Sequence, residues 1–322
     1  MNEELINALL EVSEYYSLVD GAMDPEWKGK AIGYKKAANQ IKAVDHSILT
    51  IEDLPEMKFI KGSITADIRS FLTTGEIPRL EEMKSMIKPE DKAVIDLFES
   101  VLGIGVVTAV DLYLKKYRTL DDLKHLNLTT LQRAGVDYYE DFRTPIPRAY
   151  IAGIDRMLQV IANNRGWVIE ITGSYRRGEM YSGDIDILVT GNNVTIDDVL
   201  REMYVSGIDV LRLTKGPKKF MGMLTTQPRR KVDIRVFSAA EYPTALLHST
   251  GSGTFNILMR NRAIDLVMKL NEYGLYYYDG HRAPITSERD IFIAMDVEYL
   301  QPNERRKDIS RLRFGTAFDG IA

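Results

Sequence analysis

The chain has 322 residues, 45 % of them apolar and 27 % charged, with a formal net charge of −4. That length and balance suit about two globular domains and exclude a disordered or fibrous chain. The absence of cysteine rules out a disulfide framework, a thiolate zinc site and a thiol nucleophile, and four histidines leave little room for a multi-histidine metal site.

The chain opens with MNEELINALLEVSEYY, which is acidic and amphipathic, unlike a signal peptide, and no apolar run reaches the length of a membrane span. A soluble, intracellular protein is expected. Residues 1 to about 88 read as helical throughout. Asn2–Tyr16 carries apolar residues at helix spacing, Lys28–Val44 is a basic amphipathic helix, and Ile64–Thr73 is stopped by Gly75. This region is locally acidic, with 16 acidic and 11 basic residues through Glu90. Pro89 and the charged PEDK stretch mark a boundary. A second helical segment, Val94 to about Asp141, holds the turn Gly103-Ile104-Gly105 between two apolar helices and closes at Pro145-Ile146-Pro147. One more helix, Pro147–Asn163, precedes a change of period. Trp167–Ile171, Ile185–Thr190, Val210–Thr214, Lys219–Leu224 and Val232–Phe237 are short, β-rich and separated by turn residues. The tail is mixed, with Phe255–Asn271 predicted as a helix. The order predicts an α+β chain of several subdomains, divided as 1–88, 89–145, 146–258 and 259–322.

Charge is unevenly placed. Between Leu211 and Arg235 stand eight basic residues and one acid, Asp233. The stretch ITGSYRRGEMYSGDIDILVTG, residues 171–191, explains why that acid matters. There a strand ends in Gly173-Ser174, an Arg-Arg-Gly turn follows, and Ser182-Gly183 leads into Asp184 and Asp186. Residues i and i+2 of a strand share a face, so the two aspartates project together while Ile185 and Ile187 pack behind. Carboxylates that close repel each other unless a cation sits between them, and a hard, oxygen-preferring cation such as Mg²⁺ fits. Asp233 has the same alternating apolar context and is expected on a neighbouring strand. Three carboxylates can hold two metal ions, which stabilise the attacking and leaving oxygens of phosphoryl or nucleotidyl transfer. Gly173, Ser174 and Gly183 let the backbone approach phosphates, while Ser174, Ser182 and Arg177 supply donors and charge.

The Gly-Ser to Asp-x-Asp spacing resembles the pattern of the nucleotidyltransferase superfamily. The fuller string GSYRRGEMYSGDIDILVT resembles the palm motif of the family X DNA polymerases. GYKKAANQI, LGIGVVTA, DYYEDFRTPIPR, GPKKFMGM, RRKVDIRV, TGSGTFN and LNEY agree in order, so the likeness spans roughly residues 10–300. It implies an all-helical, lyase-like N-terminal domain, a helix-hairpin-helix DNA-binding subdomain, a catalytic palm with a mixed or antiparallel sheet, and a C-terminal α+β subdomain.

Residue by residue, the resemblance gives Asp184 and Asp186 both metals, and Asp233 the catalytic metal and the primer 3′-hydroxyl. The metals would be two Mg²⁺ ions, replaceable by Mn²⁺. Gly173, Ser174, Arg177, Ser182 and Gly183 would hold the triphosphate. His248, Ser249, Gly251, Gly253 and Asn256 would form the nucleotide and sugar pocket, with Arg260 at the template minor groove. Arg230, Lys231 and Arg235 would lie beside the primer. Gly103 and Gly105 would bring amides to a DNA phosphate, and the carbonyls of Val101 and Ile104 would hold Na⁺ or K⁺. Lys30, Tyr34 and Lys36 match positions of a 5′-phosphate pocket. The implied function is template-directed filling of short gaps in DNA repair, base-excision repair among them, by a monomer acting on gapped or nicked DNA and dNTPs, with a DNA ligase as partner and no membrane. No phosphoesterase or BRCT-like domain is in view, which points to a eukaryotic or viral source and to a nucleus or viral replication compartment. A terminal or RNA-tailing nucleotidyltransferase and a non-catalytic DNA-end binder are the alternatives.

Three departures from the family pattern stand out. The stretch LPEMKFIKGSITADI carries a three-residue insertion and only Gly62 where the family has a glycine pair. Asp67 occupies the position of the lyase lysine, so Schiff-base chemistry is expected to be absent or weak, with Lys30 or Lys61 as poor substitutes. His248 and Ser249 replace aromatics beside the sugar, and Gly253 replaces a carboxylate near the base.

Overall fold

Leu5, Leu9 and Val12 recur at helix spacing and are buried together, which forms the first helix, α1 (Glu3–Val19). The structure, a computed structural model, describes residues 2–19, 27–44, 48–86 and 89–305. The expected boundary at residue 88 and the end of the expected C-terminal subdomain, 306–322, lie outside the described residues. The chain divides into two compact units, Met1–Asp137 and Tyr138–Ala322. No described helix is long and apolar enough to cross a membrane.

In the first unit α1 packs on α2 (Trp27–Ile41) through the buried Tyr34, Ala37, Ala38 and Ile41. α3 (Ser63–Thr74) stops at Gly75, whose φ of 81° suits a residue without a side chain. α4 (Pro78–Met86), α5 (Pro89–Glu99), α6 (Val106–Leu114), α7 (Leu120–Lys124) and α8 (Thr130–Asp137) follow. Between α5 and α6, Gly103 has φ 84°, and a Cβ there would meet Leu131 Cγ at 2.9 Å, so the tight turn demands glycine.

The second unit begins with α9 (Tyr139–Arg143), β1 (Ile146–Pro147), α10 (Arg148–Arg165) and β2 (Val168–Ile171). Then come α11 (Gly173–Arg176), β3 (Tyr181–Ser182), β4 (Ile185–Thr190) and α12 (Ile196–Val205). β5 (Val210–Lys215), β6 (Lys219–Leu224) and β7 (Lys231–Val236) complete a five-stranded sheet of order β2-β4-β7-β6-β5. Only β4 and β7 run parallel; their neighbours are antiparallel. α13 (Tyr242–Thr250), α14 (Gly253–Asp265), β8 (Met268–Asn271), β9 (Gly274–Tyr277) and α15 (Glu288–Ala294) form the last part. The architecture is α+β, as the order of helical and β-rich segments predicts.

The sheet has two unlike faces. Ile185, Ile187, Val232 and Ile234 are buried in one core with Ile151, Ile154 and Leu158 of α10 and Val199 and Met203 of α12. On the opposite face Leu188 packs against Phe237 and Ala245 of α13. The aspartates at alternate positions therefore face the α13 side.

The helix expected over Phe255–Asn271 is shorter than its period suggests. α14 ends at Asp265, Val267 has φ 56°, and Met268–Asn271 leaves as β8, paired with β9 so that Leu270 faces Leu275. Burying that cross-strand leucine pair outweighs one more helical turn. α14 also runs unbroken across position 258. The Arg-Arg-Gly turn is approached by one helical turn, α11, and the two-residue pair β1–β3 is too short to leave a sequence pattern.

Candidate active site

β4 and β7 lie in parallel register with Asp186 opposite Asp233 and Ile185 opposite Val232. The two carboxylates are thus cross-strand neighbours on the α13 side. They open into a cavity of about 170 Å³ lined by Thr172, Asp186, Leu188, Asp233, Arg235, His248 and Ser249. Asp184 precedes β4 on the same side. The strand end before α11 is tied to β4 by the Thr172 amide, which donates to the Asp186 carbonyl at 2.8 Å. Gly173, with φ 59°, follows. A Cβ there would lie 2.7 Å from Asp186 Oδ2, so any side chain would displace the carboxylate. Ser174 Oγ donates to Ser182 Oγ at 2.8 Å, which joins the Gly173-Ser174 and Ser182-Gly183 stretches across the intervening turn.

Charge in the site is unbalanced. Burial, followed by the neighbouring Asp184 and Asp233, pushes the Asp186 carboxyl up to about 7. Asp233 Oδ1 is buried without a hydrogen bond, its nearest cation being Lys219 Nζ at 3.6 Å. Asp184 leans toward Lys231, with Nζ 3.5 Å from Oδ2. Lysine ammoniums thus stand beside Asp184 and Asp233, and among the described residues no three His, Asp or Glu side chains converge as a ready cage. The donor set is nevertheless that of a hard cation: an oxygen-only pair, one member orphaned, the other raised by burial and by its like-charged neighbours. Asp184, Asp186 and Asp233 would hold it.

Arg177 donates from Nη1 to the Thr250 carbonyl at 2.7 Å, while its buried Nε has no partner; burial holds its guanidinium below the usual value. Its neighbour Arg176 points away from the cavity. Arg176 donates to Thr250 Oγ1 at 2.7 Å and to Glu288 at 3.2 Å, and reaches Glu170 at 3.3 Å. Glu288 also accepts from Arg305, which is fully buried and lies over the rings of Phe255, Phe292 and Tyr299. Sequence reading missed this network. Arg176 shares the conspicuous Arg-Arg-Gly with Arg177, but Glu288 follows Ser287 in an ordinary helix start, and nothing in its neighbours marks it.

Around the cavity, Gly251 has φ 62°, and Asn256 donates from Nδ2 to the His248 carbonyl at 2.8 Å. Arg260 is exposed and contacts His248 Nδ1 through Nη2 at 3.2 Å. Burial, then Arg260, lowers the His248 pKa. Gly183 and Gly253 face open space. Arg235 lines the cavity, whereas Arg230, expected beside the primer, is buried at 7 % exposure and donates to the carbonyls of Asp141 and Thr144. Its charge ties the end of α9 to β7 rather than standing open to a strand.

In the first unit the Gly103 carbonyl accepts from Gln132 Nε2 at 3.2 Å, and the Val101 carbonyl accepts from the Ile104 amide at 3.0 Å. Lys30 Nζ lies 5.7 Å from the Tyr16 ring and Lys36 Nζ 4.6 Å from that of Phe59. Tyr34 is 1 % exposed and its hydroxyl donates to Asp67, itself 7 % exposed. Arg79 completes the cluster, donating to the hydroxyls of Tyr16 and Tyr34 at 2.8 and 3.2 Å and lying 3.7 Å from Asp67 Oδ2. Tyr34, expected as a phosphate contact, therefore spends its hydroxyl inside the fold. An aldehyde reaching Asp67 would find a carboxylate that cannot form an imine. Borohydride treatment with a 5′-incised abasic duplex should leave no adduct, or one lost in Lys30→Ala. Efficient trapping independent of Lys30 would show another amine at work.

A strand ending in Gly-Ser, a one-turn helix, a strand with alternating aspartates and a third aspartate in register on a parallel neighbour define a nucleotidyltransferase palm. Known proteins extend that class. A family model described as DNA polymerase beta palm matches residues 145–239, DNA polymerase beta thumb matches 245–306, and the fingers domain of DNA polymerase lambda matches 96–143. DNA polymerase lambda of Rattus norvegicus is 27 % identical over 333 aligned residues, covering 94 % of this chain and 57 % of its own length. The protein of that name from Arabidopsis thaliana is 29 % identical over 308, covering 86 % and 58 %. Along most of its length the chain is thus similar to family X of the DNA polymerases. It spans under three-fifths of the length of these two relatives.

Proposed function

We propose that this chain is a DNA-directed DNA polymerase that fills short gaps during DNA repair, joining dNTPs to a primer 3′-hydroxyl opposite a template. The observation that carries the reading is the Asp186–Asp233 cross-strand pair beside the Gly173-Ser174 turn. Two divalent cations, Mg²⁺ or Mn²⁺, held by Asp184, Asp186 and Asp233 would supply charge neutralisation at the transferred phosphate. The chain's own groups do the rest. Ser174, Ser182 and the amides near Gly173 and Gly183 cradle the triphosphate, and Arg177, whose buried Nε has no partner, adds positive charge to it. Asp233, with an orphaned oxygen, accepts or orients the primer hydroxyl proton. Arg235, Lys219 and Lys231 make the surround positive, which suits substrates that are all polyanions. Gly103 and Gly105 offer turn amides to a DNA phosphate, with Na⁺ or K⁺ on neighbouring carbonyls, and a ligase would seal the product.

Primer extension on a gapped duplex with Mg²⁺, with and without the template strand, tests the reading. Extension that follows the template supports it. Untemplated addition would point to a tailing enzyme, and binding without extension to an end-binding protein. Sugar choice gives a second expected result. His248 and Ser249 line the cavity where larger rings would crowd a 2′-hydroxyl. Discrimination against ribonucleotides should then be weak, on the order of 1–3 kcal/mol, the value of one small group in a pocket. Relative incorporation of matched deoxy- and ribonucleotides measures it, and discrimination of many thousandfold would mean that the backbone alone excludes the hydroxyl.

A further inference from the structure

The contact between His248 and Arg260 crosses from α13 to α14 and joins a cavity-lining residue to an exposed one. A guanidinium only donates, so His248 Nδ1 must be the acceptor, and the neutral ring carries its proton on Nε2. Among the described residues, His248 is the polar partner that Arg260 has. The ring is itself fixed: it is half-buried on α13, and the carbonyl of the same residue accepts from Asn256 Nδ2 at 2.8 Å. Arg260 lies one turn further along α14 from Asn256, so a single helical face carries both contacts to His248.

We propose that His248 is a positioning residue that holds the Arg260 guanidinium at the mouth of the catalytic cavity, ready for the template strand. The proposal rests on the polymerase reading. An exposed arginine samples many rotamers, and a partner that selects one removes that loss from the binding step. Burial and the Arg260 charge both keep His248 neutral, the only state in which Nδ1 can accept.

The test compares what Arg260→Ala costs in three backgrounds, read as kcat/KM for correct nucleotide on a gapped duplex. In the unaltered chain the loss should be about tenfold, the scale of one hydrogen bond to a charged group. His248→Asn keeps an acceptor, Oδ1, near the place of Nδ1, and Arg260→Ala should cost as much there. In His248→Phe the ring stays but the acceptor is gone, and Arg260→Ala should cost little more. An equal loss in all three backgrounds, or no loss in the unaltered chain, overturns the proposal. Proton NMR titration of His248 tests the contact without any extension. Arg260→Ala should raise the His248 pKa, and an unchanged value would overturn the proposal even in a chain that extends no primer. Failure of the unaltered chain to extend, with the titration shifted as expected, would count against the polymerase reading instead.

Discussion

Asp233→Ala should abolish primer extension while leaving gapped-DNA binding nearly intact. The carboxylate sits in register with Asp186 and has an oxygen with no hydrogen bond, so the fold itself makes little use of it. On the proposed two-metal reading, removing Asp233 as a ligand forfeits several kcal/mol of charge stabilisation, about a thousandfold or more in rate. DNA is held mainly by its phosphates, through cations elsewhere, so affinity should barely change. Stability offers a control. Asp233 raises the carboxyl of Asp186 by like-charge repulsion, and its loss should not lower the melting temperature in the absence of divalent cations. Extension at a tenth of the normal rate would remove Asp233 from the site. A large fall in melting temperature would mean its role is structural.

Why the aspartates could be read from sequence while other parts could not follows from where each interaction is encoded. Asp184, Asp186 and Asp233 sit in period-2 segments whose apolar members must face one core, so their common side follows from local pattern alone. β4 and β6 have the bounds that pattern predicts, since both run up to the turn residues that follow them. α14 was harder, because Phe255–Asn271 stays apolar enough to continue a helix, and only the distant pairing of Leu270 with Leu275 ends it. Arg230 shows the same limit. It reads as one more member of a basic run, yet two backbone carbonyls of the α9 end bury it. Arg176, Glu288 and Arg305 stand far apart in sequence, and their charges meet only after α11 and α15 have packed. A buried ionic network leaves no periodic trace.

Glu288→Ala should destabilise the second unit strongly, by about 3–5 kcal/mol, the range for removing one partner of a buried ion pair. Glu288 is 7 % exposed and Arg305 is not exposed at all, so deleting the carboxylate leaves a guanidinium buried without a counter-charge, and Arg176 loses its main acceptor too. Aromatic rings around Arg305 soften that loss without replacing a carboxylate. Acid should act in the same direction. Burial raises the Glu288 carboxyl, but Arg305 and then Arg176 outweigh it and hold it below its ordinary value of 4.5. A carboxyl depressed in the folded state stabilises fully above the unfolded value, and the contribution is lost as pH falls through the folded one. The unaltered chain should therefore lose stability below about pH 4.5 by a component that Glu288→Ala lacks. The effect should also reach the cavity, because Arg176 adjoins Arg177 and both bond Thr250. With Arg176 released, Arg177 loses its support, and the apparent affinity for dNTP should fall before the protein unfolds. Denaturant melts of the variant beside the unaltered chain measure the first effect, and nucleotide titration at a temperature where both are folded measures the second. A midpoint unchanged in both would show that Arg305 is satisfied by the Leu300 carbonyl and the aromatic faces alone.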